Sequence, residues 1–465
     1  MYDDTIAAIA TGMTDAGISI IRISGDRAIE VADSIFCSKS GKKLIDQKSY
    51  TMHFGYIVDN QSENELKNEI DEVLVSIMRN PHSYTGEDTV EINCHGGIYL
   101  TNKILEVVLN NGIRLAEPGE FTKRAFLSGK MDLSKAEAVM DLISSKNDFA
   151  AKNSIKQLKG NILDEIKELR SKIIYEIAFI ESALDDPEHF DLSGYPENLD
   201  EKLIDIEKNI NKLIENSKNG KIRKDGISSV IVGKPNAGKS SFLNLLIGED
   251  KAIVTSTAGT TRDVLEESVK LGDMILHLYD TAGIRETSDE IEKIGVEKAK
   301  KHIEEADLIL YMVDSSIPLD ENDDDIIDLL NGRNYIVLLN KSDLDTVTTE
   351  EDLRKILGED TSVIRISAKE NIGVDEFSQA LRKMFYNKNI NINDDVIITN
   401  TRQIKELRDA LHSISLVRNS IADGMPEDFF SIDLTSSYEH LGFIIGEEIN
   451  EDVVDEIFSK FCMGK

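Results

Sequence analysis

A glycine-rich segment in the middle of the chain has the residue types needed to hold a phosphate chain. It reads Gly233-Lys-Pro-Asn-Ala-Gly238-Lys239-Ser240, with an apolar run before it and a helical pattern after it. Glycines let the backbone wrap around phosphates and present N–H groups at a helix N-terminus, where the helix dipole also favours anions. We expect Lys239 to reach the β- and γ-phosphates of a nucleotide and Ser240 to bind Mg²⁺. Taken alone, the segment could also be an ordinary strand-to-helix turn.

Three further segments follow in chain order and point to guanine as the base. Asp280–Gly283 ends an apolar run and would approach Mg²⁺ and the γ-phosphate. Asn340–Asp343 follows another apolar run, and its last carboxylate can accept hydrogen bonds from both N1–H and the exocyclic amine of guanine, which adenine does not offer. Ser367–Lys369 fits the loop that contacts the base oxygen. Four segments in this order predict a Ras-like GTP-binding domain.

The predicted nucleotide contacts come from these segments and from the stretch around 255–263. They are Asn236, Ala237, Gly238, Lys239, Ser240, Ser241, Thr255, Ser256, Thr257, Ala258, Gly259, Thr260, Thr261, Asp280, Thr281, Ala282, Gly283, Asn340, Lys341, Asp343, Ser367 and Ala368. Ser240 and Thr261 are the predicted Mg²⁺ ligands.

The residue after Asp280–Gly283 indicates an unusual hydrolytic mechanism. Ras-like enzymes carry a glutamine there to orient the attacking water, whereas this chain has Ile284, which cannot do so. Another polar group must act, and four acidic residues lie just downstream, although most of them read as ordinary helix-start acids: Glu286, Asp289, Glu290 and Glu292. The sequence also leaves open which cation offsets the negative charge of the transition state. A monovalent ion held by Asn236 and backbone carbonyls is one choice, and Arg285 or Arg262 is another.

Composition limits the protein's class and its partners. The 465 residues suggest about three domains, and no run approaches the ~18 apolar residues of a membrane span. Acidic residues directly after Met1 do not resemble an export signal, and three distant cysteines predict neither a disulfide framework nor a metal cluster. We therefore expect a cytoplasmic protein. Its net charge of −33 should repel a phosphate backbone, so any RNA would need a more basic partner.

Hydrophobic periodicity changes along the chain and predicts a multidomain α/β architecture. Strand-like runs and two helical patterns alternate over 1–118, and helical spacing dominates over about 119–217. A turn-rich stretch at 217–226 leads into a second α/β section, and helical texture returns from about 400. We predict an α/β domain at 1–118, a discontinuous helical domain at 119–220 and 386–465, and an inserted Ras-like P-loop GTPase domain at 221–385.

Segments outside the nucleotide region carry a more specific signal. Over essentially its whole length the chain resembles the tRNA-modifying GTPase family called MnmE or TrmE. The matching segments are Asp4–Thr11, Gly17–Gly25, Tyr84–Gly97, Glu117–Phe126 and Cys462–Lys465.

The resemblance implies a function for each part of the chain. The N-terminal domain would bind a tetrahydrofolate derivative (5,10-methylene or 5-formyl) and form a homodimer. In a heterotetramer with the flavin protein MnmG (GidA), the protein would add an aminomethyl or carboxymethylaminomethyl group to C5 of the wobble uridine of certain tRNAs. The folate one-carbon unit would become the methylene of that group. Potassium-dependent pairing of two GTPase domains would stimulate GTP hydrolysis, with Mg²⁺ at the nucleotide.

The resemblance also assigns residues. The implied folate contacts are Arg22, Glu91, Lys130 and Lys465. The implied potassium ligands are Asn236, Thr255, Thr257 and Thr260, and the implied water-orienting residue is Glu292. Cys462 is a candidate catalytic cysteine by analogy with cysteine-based uridine chemistry, and ordered packing of the tail is the alternative explanation.

Two other functions compete with this interpretation. A ribosome-assembly GTPase would share the central section, but such proteins carry a basic RNA-binding appendage, whereas the appendage here is helical and acidic. A GTP-gated scaffold without its own part in the chemistry would use the nucleotide only as a conformational ligand.

Overall fold

The chain forms two compact units. The structure is a computed structural model that describes residues 4–59, 68–186, 188–189, 192–248, 266–272, 274–280, 303–304, 306–386, 396–447 and 449–465. The first unit comprises Met1–Ser144, Ser154–Lys208 and Lys405–Lys465, and the second comprises Ser145–Asn153 and Asn209–Ile404.

A mixed sheet forms the N-terminal part of the first unit. Its described strands lie in the order β3-β4-β5-β6-β2-β1-β7. Their bounds are β1 Ile6–Ile9, β2 Ala16–Ser24, β3 Phe36–Cys37, β4 Thr51–Asp59, β5 Asn68–Met78, β6 Thr89–Gly96 and β7 Arg114–Leu115. Alternate residues such as Ile21, Ile23 and Ile92 share a core with helices α1 (Ala28–Ile35) and α2 (Ile98–Asn110). The strand-like runs and the two helices predicted over 1–118 are thus confirmed as elements.

Helices from both sides of the second unit's sequence pack together in the first unit. They are α3 Glu120–Leu127, α4 Leu133–Ile143, α6 Asn161–Asp185, the start of α7 Tyr195–Asp225, α12 Thr401–Ala422, α13 Glu427–Ile445 and α14 Glu451–Ser459. Arg170 of α6 lies 3.8 Å from the ring centroid of Tyr438 on α13. Arg418 of α12 pairs with Asp200 of α7 at 2.7 Å. The two helical stretches are therefore in contact. These contacts do not test the predicted domain boundaries. No helix in the described ranges combines the length and apolarity needed to cross a membrane.

One element differs from the sequence-based expectation. The stretch 217–226 was predicted to be turn-rich, but α7 continues through it to Asp225. The glycine that suggested a turn, Gly220, instead permits close packing, because a Cβ there would lie 2.2 Å from Ile397 Cγ2. Buried Ser217 and Arg223 continue the same packed side of the helix. The prediction was wrong because tertiary packing of this helix face outweighs the local turn preference of its small residues.

A mostly parallel sheet forms the centre of the second unit. Its described strands lie in the order β13-β12-β11-β8-β10-β9, and only the β9–β10 pair is antiparallel among them. The strands are β8 Ile227–Val232, β9 Glu266–Leu271, β10 Met274–Asp280, β11 Leu308–Asp314, β12 Tyr335–Asn340 and β13 Val363–Arg365. The helices are α5 Asp148–Leu158, which continues into the first unit, α8 Lys239–Gly248, α9 Glu321–Leu330, α10 Glu350–Leu357 and α11 Val374–Phe385. Every residue of β11 is buried, as expected for a central parallel strand.

A buried arginine ties α3 to the N-terminal sheet. Arg124 is 2% exposed. Its guanidinium lies 2.7 Å from Asp4 Oδ1, 2.9 Å from Glu120 Oε1 and 3.2 Å from Glu87 Oε1. One cation therefore compensates carboxylates from three separate segments.

We expect Arg124→Met to destabilise the first unit by about 3 kcal/mol, because Glu87 loses the cation that lies 3.2 Å away. Asp4 and Glu120 keep Arg114 as a partner, which limits the loss. Thermal unfolding followed by circular dichroism would show a lower midpoint for the affected transition. Arg27→Met is the matched control, since the Arg27 side chain is 51% exposed and its Nε lies 3.9 Å from Glu30. Equal midpoints for the two variants would contradict this role of Arg124.

Candidate functional site

The turn between β8 and α8 is a tight loop whose shape depends on two glycines. Gly233 has φ 153°, and a Cβ there would lie 2.3 Å from Met312 O. Gly238 has φ 103°, and a Cβ there would lie 2.0 Å from Asn340 Nδ2. Backbone positions of this kind favour glycine, so both residues are explained by geometry. The loop brings the N-terminus of α8 to the carboxyl edge of the sheet.

The lysine at the start of α8 folds back over this loop. Lys239 Nζ donates hydrogen bonds to the carbonyl oxygens of Gly233 and Lys234, both at 2.8 Å. Asn236 lies at the tip of the loop with φ 61° and an exposed side chain. An ammonium group, a helix N-terminus and a ring of backbone N–H groups together could hold an anion.

A buried asparagine connects the loop to a second one. Asn340, the last residue of β12, is 2% exposed. Its Nδ2 donates to Ala237 O at 2.7 Å, and its Oδ1 accepts from Ala368 N at 3.1 Å. The side chain therefore holds three segments in one arrangement: the glycine loop, the end of β12 and the turn after β13.

An oriented carboxylate lies beside this bridge. Ser367 Oγ donates to Asp343 Oδ1 at 2.7 Å. This hydrogen bond lowers the pKa of the Asp343 carboxyl, and the positive charges of Lys369 and Lys341 add to the effect. Lys341 itself pairs with Asp314 at 2.6 Å. The carboxylate is therefore ionised near neutral pH and fixed in direction, which suits an acceptor of two adjacent N–H groups.

These segments surround a single cavity of about 1190 Å³. Its lining includes predicted nucleotide contacts from both ends of the site: Asn236, Gly238, Lys239, Ser240, Ser241, Asn340, Lys341, Asp343 and Ala368. Residues that are far apart in sequence thus face one space. Lys239 and the N-terminus of α8 lie at one end, and the oriented carboxylate, with Lys341 and Lys369 nearby, lies at the other. That polarity could accommodate a nucleotide with its phosphates at the glycine loop and its base near Asp343.

Part of the predicted site lies outside the described residues. This applies to 255–261, to Thr281, Ala282 and Gly283, and to Glu292. Asp280 is described as the last residue of β10, opposite Ile231 of β8, but its side chain lies outside the description.

A second cluster lies in the first unit, around an arginine of β2. Arg22 pairs with Glu91 of the neighbouring β6 at 2.8 Å, and its Nη1 donates to Gly464 O at 3.1 Å. Burial and the nearby Arg22 charge lower the pKa of the Lys465 ammonium. Three of the four residues assigned by resemblance to folate are therefore close together. The fourth, Lys130, donates to Pro81 O at 2.8 Å, next to the turn at 81–87.

Aromatic residues that the sequence interpretation did not select complete this cluster. The Arg22 guanidinium lies 5.5 Å from the ring centroid of Tyr84 and 5.6 Å from that of Phe121. Tyr84 OH shares a hydrogen bond with Thr122 Oγ1 at 2.9 Å, and Lys465 Nζ lies 5.9 Å from the Tyr84 ring. The sequence could have indicated these aromatic residues, because Tyr84 begins one of the family-like segments and Phe121 lies in another.

The chain's last residues are packed rather than frayed. Gly464 has φ 82°, and a Cβ there would lie 2.3 Å from Ile9 O in β1. Gly119 N donates to Cys462 O at 3.4 Å. Cys462 itself is exposed, whereas Phe461 is buried. Ordered packing of the tail is thus observed, and it leaves the role of the Cys462 thiol as a hypothesis.

Comparison with known proteins gives the family. The model for the MnmE helical domain matches residues 133–462, and the model for the GTP-binding protein TrmE N-terminus matches residues 5–130. Among solved structures, an Era variant from Aquifex aeolicus is 27% identical over 40% of this chain and 66% of its own, with a TM-score of 0.28. That similarity is too low to bear on the fold.

Curated relatives match over the full length. The tRNA modification GTPase MnmE of Lachnoclostridium phytofermentans is 54% identical over 100% of both chains. The proteins of the same description from Clostridioides difficile and Acetivibrio thermocellus are 46% and 45% identical, each over 100% of this chain and at least 99% of the relative. The predicted family is therefore confirmed, and the chain belongs to the MnmE family of tRNA modification GTPases.

Proposed function

We propose that this protein is a GTP hydrolase that acts in tRNA modification together with the flavin protein MnmG (GidA). The pair would add an aminomethyl or carboxymethylaminomethyl group to C5 of the wobble uridine of certain tRNAs. A tetrahydrofolate derivative would supply the one-carbon unit. The observation that carries the proposal is the cavity shared by Lys239, Asn340 and Asp343 in a chain of this family.

Each residue of the cavity has a chemical role in this proposal. The loop N–H groups and Lys239 would bind the phosphates, and Ser240 with Thr261 would hold Mg²⁺. Asp343 would accept from N1–H and the exocyclic amine of guanine, while the loop at Ser367 and Ala368 would face the base oxygen. The hydrogen bond from Ser367 supports this assignment, because it leaves the carboxylate ionised and oriented before the base arrives.

Hydrolysis requires a water-orienting group and a cation. We assign the first role to Glu292, the residue that the family resemblance implies, and this choice agrees with the presence of apolar Ile284 where Ras-like enzymes carry a glutamine. We assign the second to a potassium ion held by Asn236, Thr255, Thr257 and Thr260. The position of Asn236 at the exposed tip of the loop, lining the cavity, supports its part in this assignment.

GTP hydrolysis should be much faster in KCl than in NaCl at equal ionic strength, and Asn236→Ala should remove the difference. A neutral oxygen ligand is lost in that variant, so the ion is held less firmly while the loop glycines are unchanged. Steady-state phosphate release in both salts would measure the effect. Asn244→Ala is the control, since Asn244 also lines the cavity but is not among the proposed ligands. Equal rates in the two salts would contradict the potassium mechanism. Arg285 or Arg262 would then be favoured as the cation that offsets the transition-state charge.

The first unit would provide the folate site and a homodimer contact in the cytoplasm. Glu91 could bind the amino-pyrimidine edge of the pterin while Arg22 holds that carboxylate in place, and the cations Lys465 and Lys130 could meet the glutamate tail. The short Arg22–Glu91 and Arg22–Gly464 contacts support a preorganised site.

Turnover of GTP would exclude a scaffold that uses the nucleotide only as a conformational ligand. Normal wobble uridines in the absence of the protein would favour a ribosome-assembly role instead.

A further inference from the structure

Three helix ends meet at one arginine in the second unit. Arg223, near the C-terminus of α7, is buried. Its guanidinium lies 5.8 Å from the Phe149 ring centroid on α5 and 4.9 Å from that of Tyr386, which follows α11. Its Nη2 donates to Tyr386 O at 2.9 Å, and Asn147 Nδ2 donates to Arg223 O at 2.9 Å. The start of α5 and the ends of α7 and α11 are therefore held together at this point.

The segments that form this junction are rich in basic residues, whereas the protein as a whole is acidic. Segments 145–153 and 209–225 carry seven basic and three acidic residues, whereas the whole chain carries 53 and 86. The last turn of α11 adds two more basic residues. We call the exposed members that lie within about two helical turns of Arg223 and its contacts the basic junction: Lys146, Lys152, Lys218, Lys221, Arg382 and Lys383.

Helical spacing places some of these side chains next to each other. Lys218 and Lys221 are three residues apart on α7, so they are neighbours on its surface. Lys146 directly precedes Asn147, whose side chain holds the end of α7. The cations thus come from three elements that share one anchor, rather than from one charged helix face.

We propose that the basic junction binds the phosphate backbone of tRNA. This proposal rests on the proposed function, because it takes tRNA as the substrate. A chain with a net charge of −33 repels RNA over most of its surface, so contact should concentrate where cations outnumber carboxylates. Buried Arg223 would keep the three basic elements in fixed relative positions while the exposed lysines contact phosphates.

Helix-end stabilisation is the competing explanation. Cations in a last turn interact favourably with the helix dipole, and this would account for Arg382 and Lys383 without any ligand. It does not account for Lys146 and Lys152, which lie just before and within the first half of α5. The two explanations predict different losses, since one concerns stability and the other concerns RNA affinity.

The test is the triple variant Lys152→Ala, Lys218→Ala and Lys221→Ala in the full-length chain. Fluorescence anisotropy with a labelled, unmodified tRNA transcript would measure affinity at fixed KCl and increasing NaCl. We expect affinity to fall by about tenfold or more, and the salt slope to decrease by about one per lysine that contacts phosphate. Basal GTP hydrolysis and the thermal midpoint should not change.

A control triple, Lys42→Ala, Lys355→Ala and Lys405→Ala, removes the same charge from exposed positions elsewhere. Equal tRNA affinity for the two triples would overturn the proposal. So would a lower thermal midpoint with unchanged tRNA binding, which would assign the lysines to helix stability or to another partner. A wild-type chain that binds no tRNA at any salt concentration would also overturn the proposal. It would not contradict the proposed function, because the flavin partner could hold the tRNA; that function fails only if wobble uridines are normal in the absence of the protein.

Discussion

Deletion of residues 462–465 is expected to abolish tRNA modification while GTP hydrolysis and folding persist. The tail supplies Gly464 O to Arg22 and brings the Lys465 ammonium to within 5.9 Å of the Tyr84 ring centroid. Its loss would remove a cation from the proposed folate site and free Arg22 to change position. The cavity of the second unit does not include these residues, so nucleotide chemistry should be unaffected.

Calorimetry with 5-formyl-tetrahydrofolate would measure the first step of this effect. We expect folate affinity to fall by about tenfold or more, since hydrogen bonds to charged groups contribute about 1.5–3 kcal/mol. Lys460→Ala is the control, because that lysine lies just before the tail and its side chain is 72% exposed. Unchanged folate affinity in the truncated protein would mean that the tail acts elsewhere, in partner docking or through Cys462.

Lys239→Ala should lower kcat/KM for GTP hydrolysis by about 10²-fold or more, because it removes a charged donor aimed at developing negative charge. Nucleotide affinity should fall as well, since the ammonium would contact the β- and γ-phosphates of bound GTP. Stopped-flow binding of a fluorescent GTP analogue and single-turnover hydrolysis would separate the two losses.

A second lysine in the same loop provides the control for this variant. Lys234 Nζ pairs with Asp320 at 3.0 Å and Asp323 at 2.7 Å, and Lys234 does not line the cavity. Lys234→Met should therefore leave nucleotide affinity nearly unchanged, even where stability falls. If both variants reduced hydrolysis equally, the charge of the loop as a whole, and not the Lys239 contact, would explain the effect.

The shape of the glycine loop could be predicted from the sequence because its information is local, whereas the nucleotide contacts stay a prediction. Gly233, Gly238 and Lys239 lie within seven residues, and their types favour a tight loop before a helix. The Asn340 bridge follows from the order of parallel strands, whose carboxyl ends share an edge. Sequence reasoning could not give the hydrogen bond from Ser367 to Asp343, since it depends on how two separate loops are juxtaposed.

The first unit was less predictable because its contacts join distant segments. Arg22 and Gly464 are 442 positions apart, and periodicity holds no information on such a pair. Resemblance to the family assigned a role to the tail but none to Tyr84 or Phe121, although both lie in the matching segments. The same limit applies to Arg124, whose partners come from three segments, and to Gly220, whose role as a packing residue depends on Ile397.

The central claim is that this protein modifies the wobble uridine of tRNA with the help of GTP hydrolysis. Mass spectrometry of tRNA nucleosides from a strain that lacks the protein tests it most directly. C5-aminomethyl and carboxymethylaminomethyl uridines should be lost from that strain, and a gene for the wild-type chain should restore them whereas Lys239→Ala should not. Unchanged levels of these nucleosides in the deletion strain would show that the protein has another function.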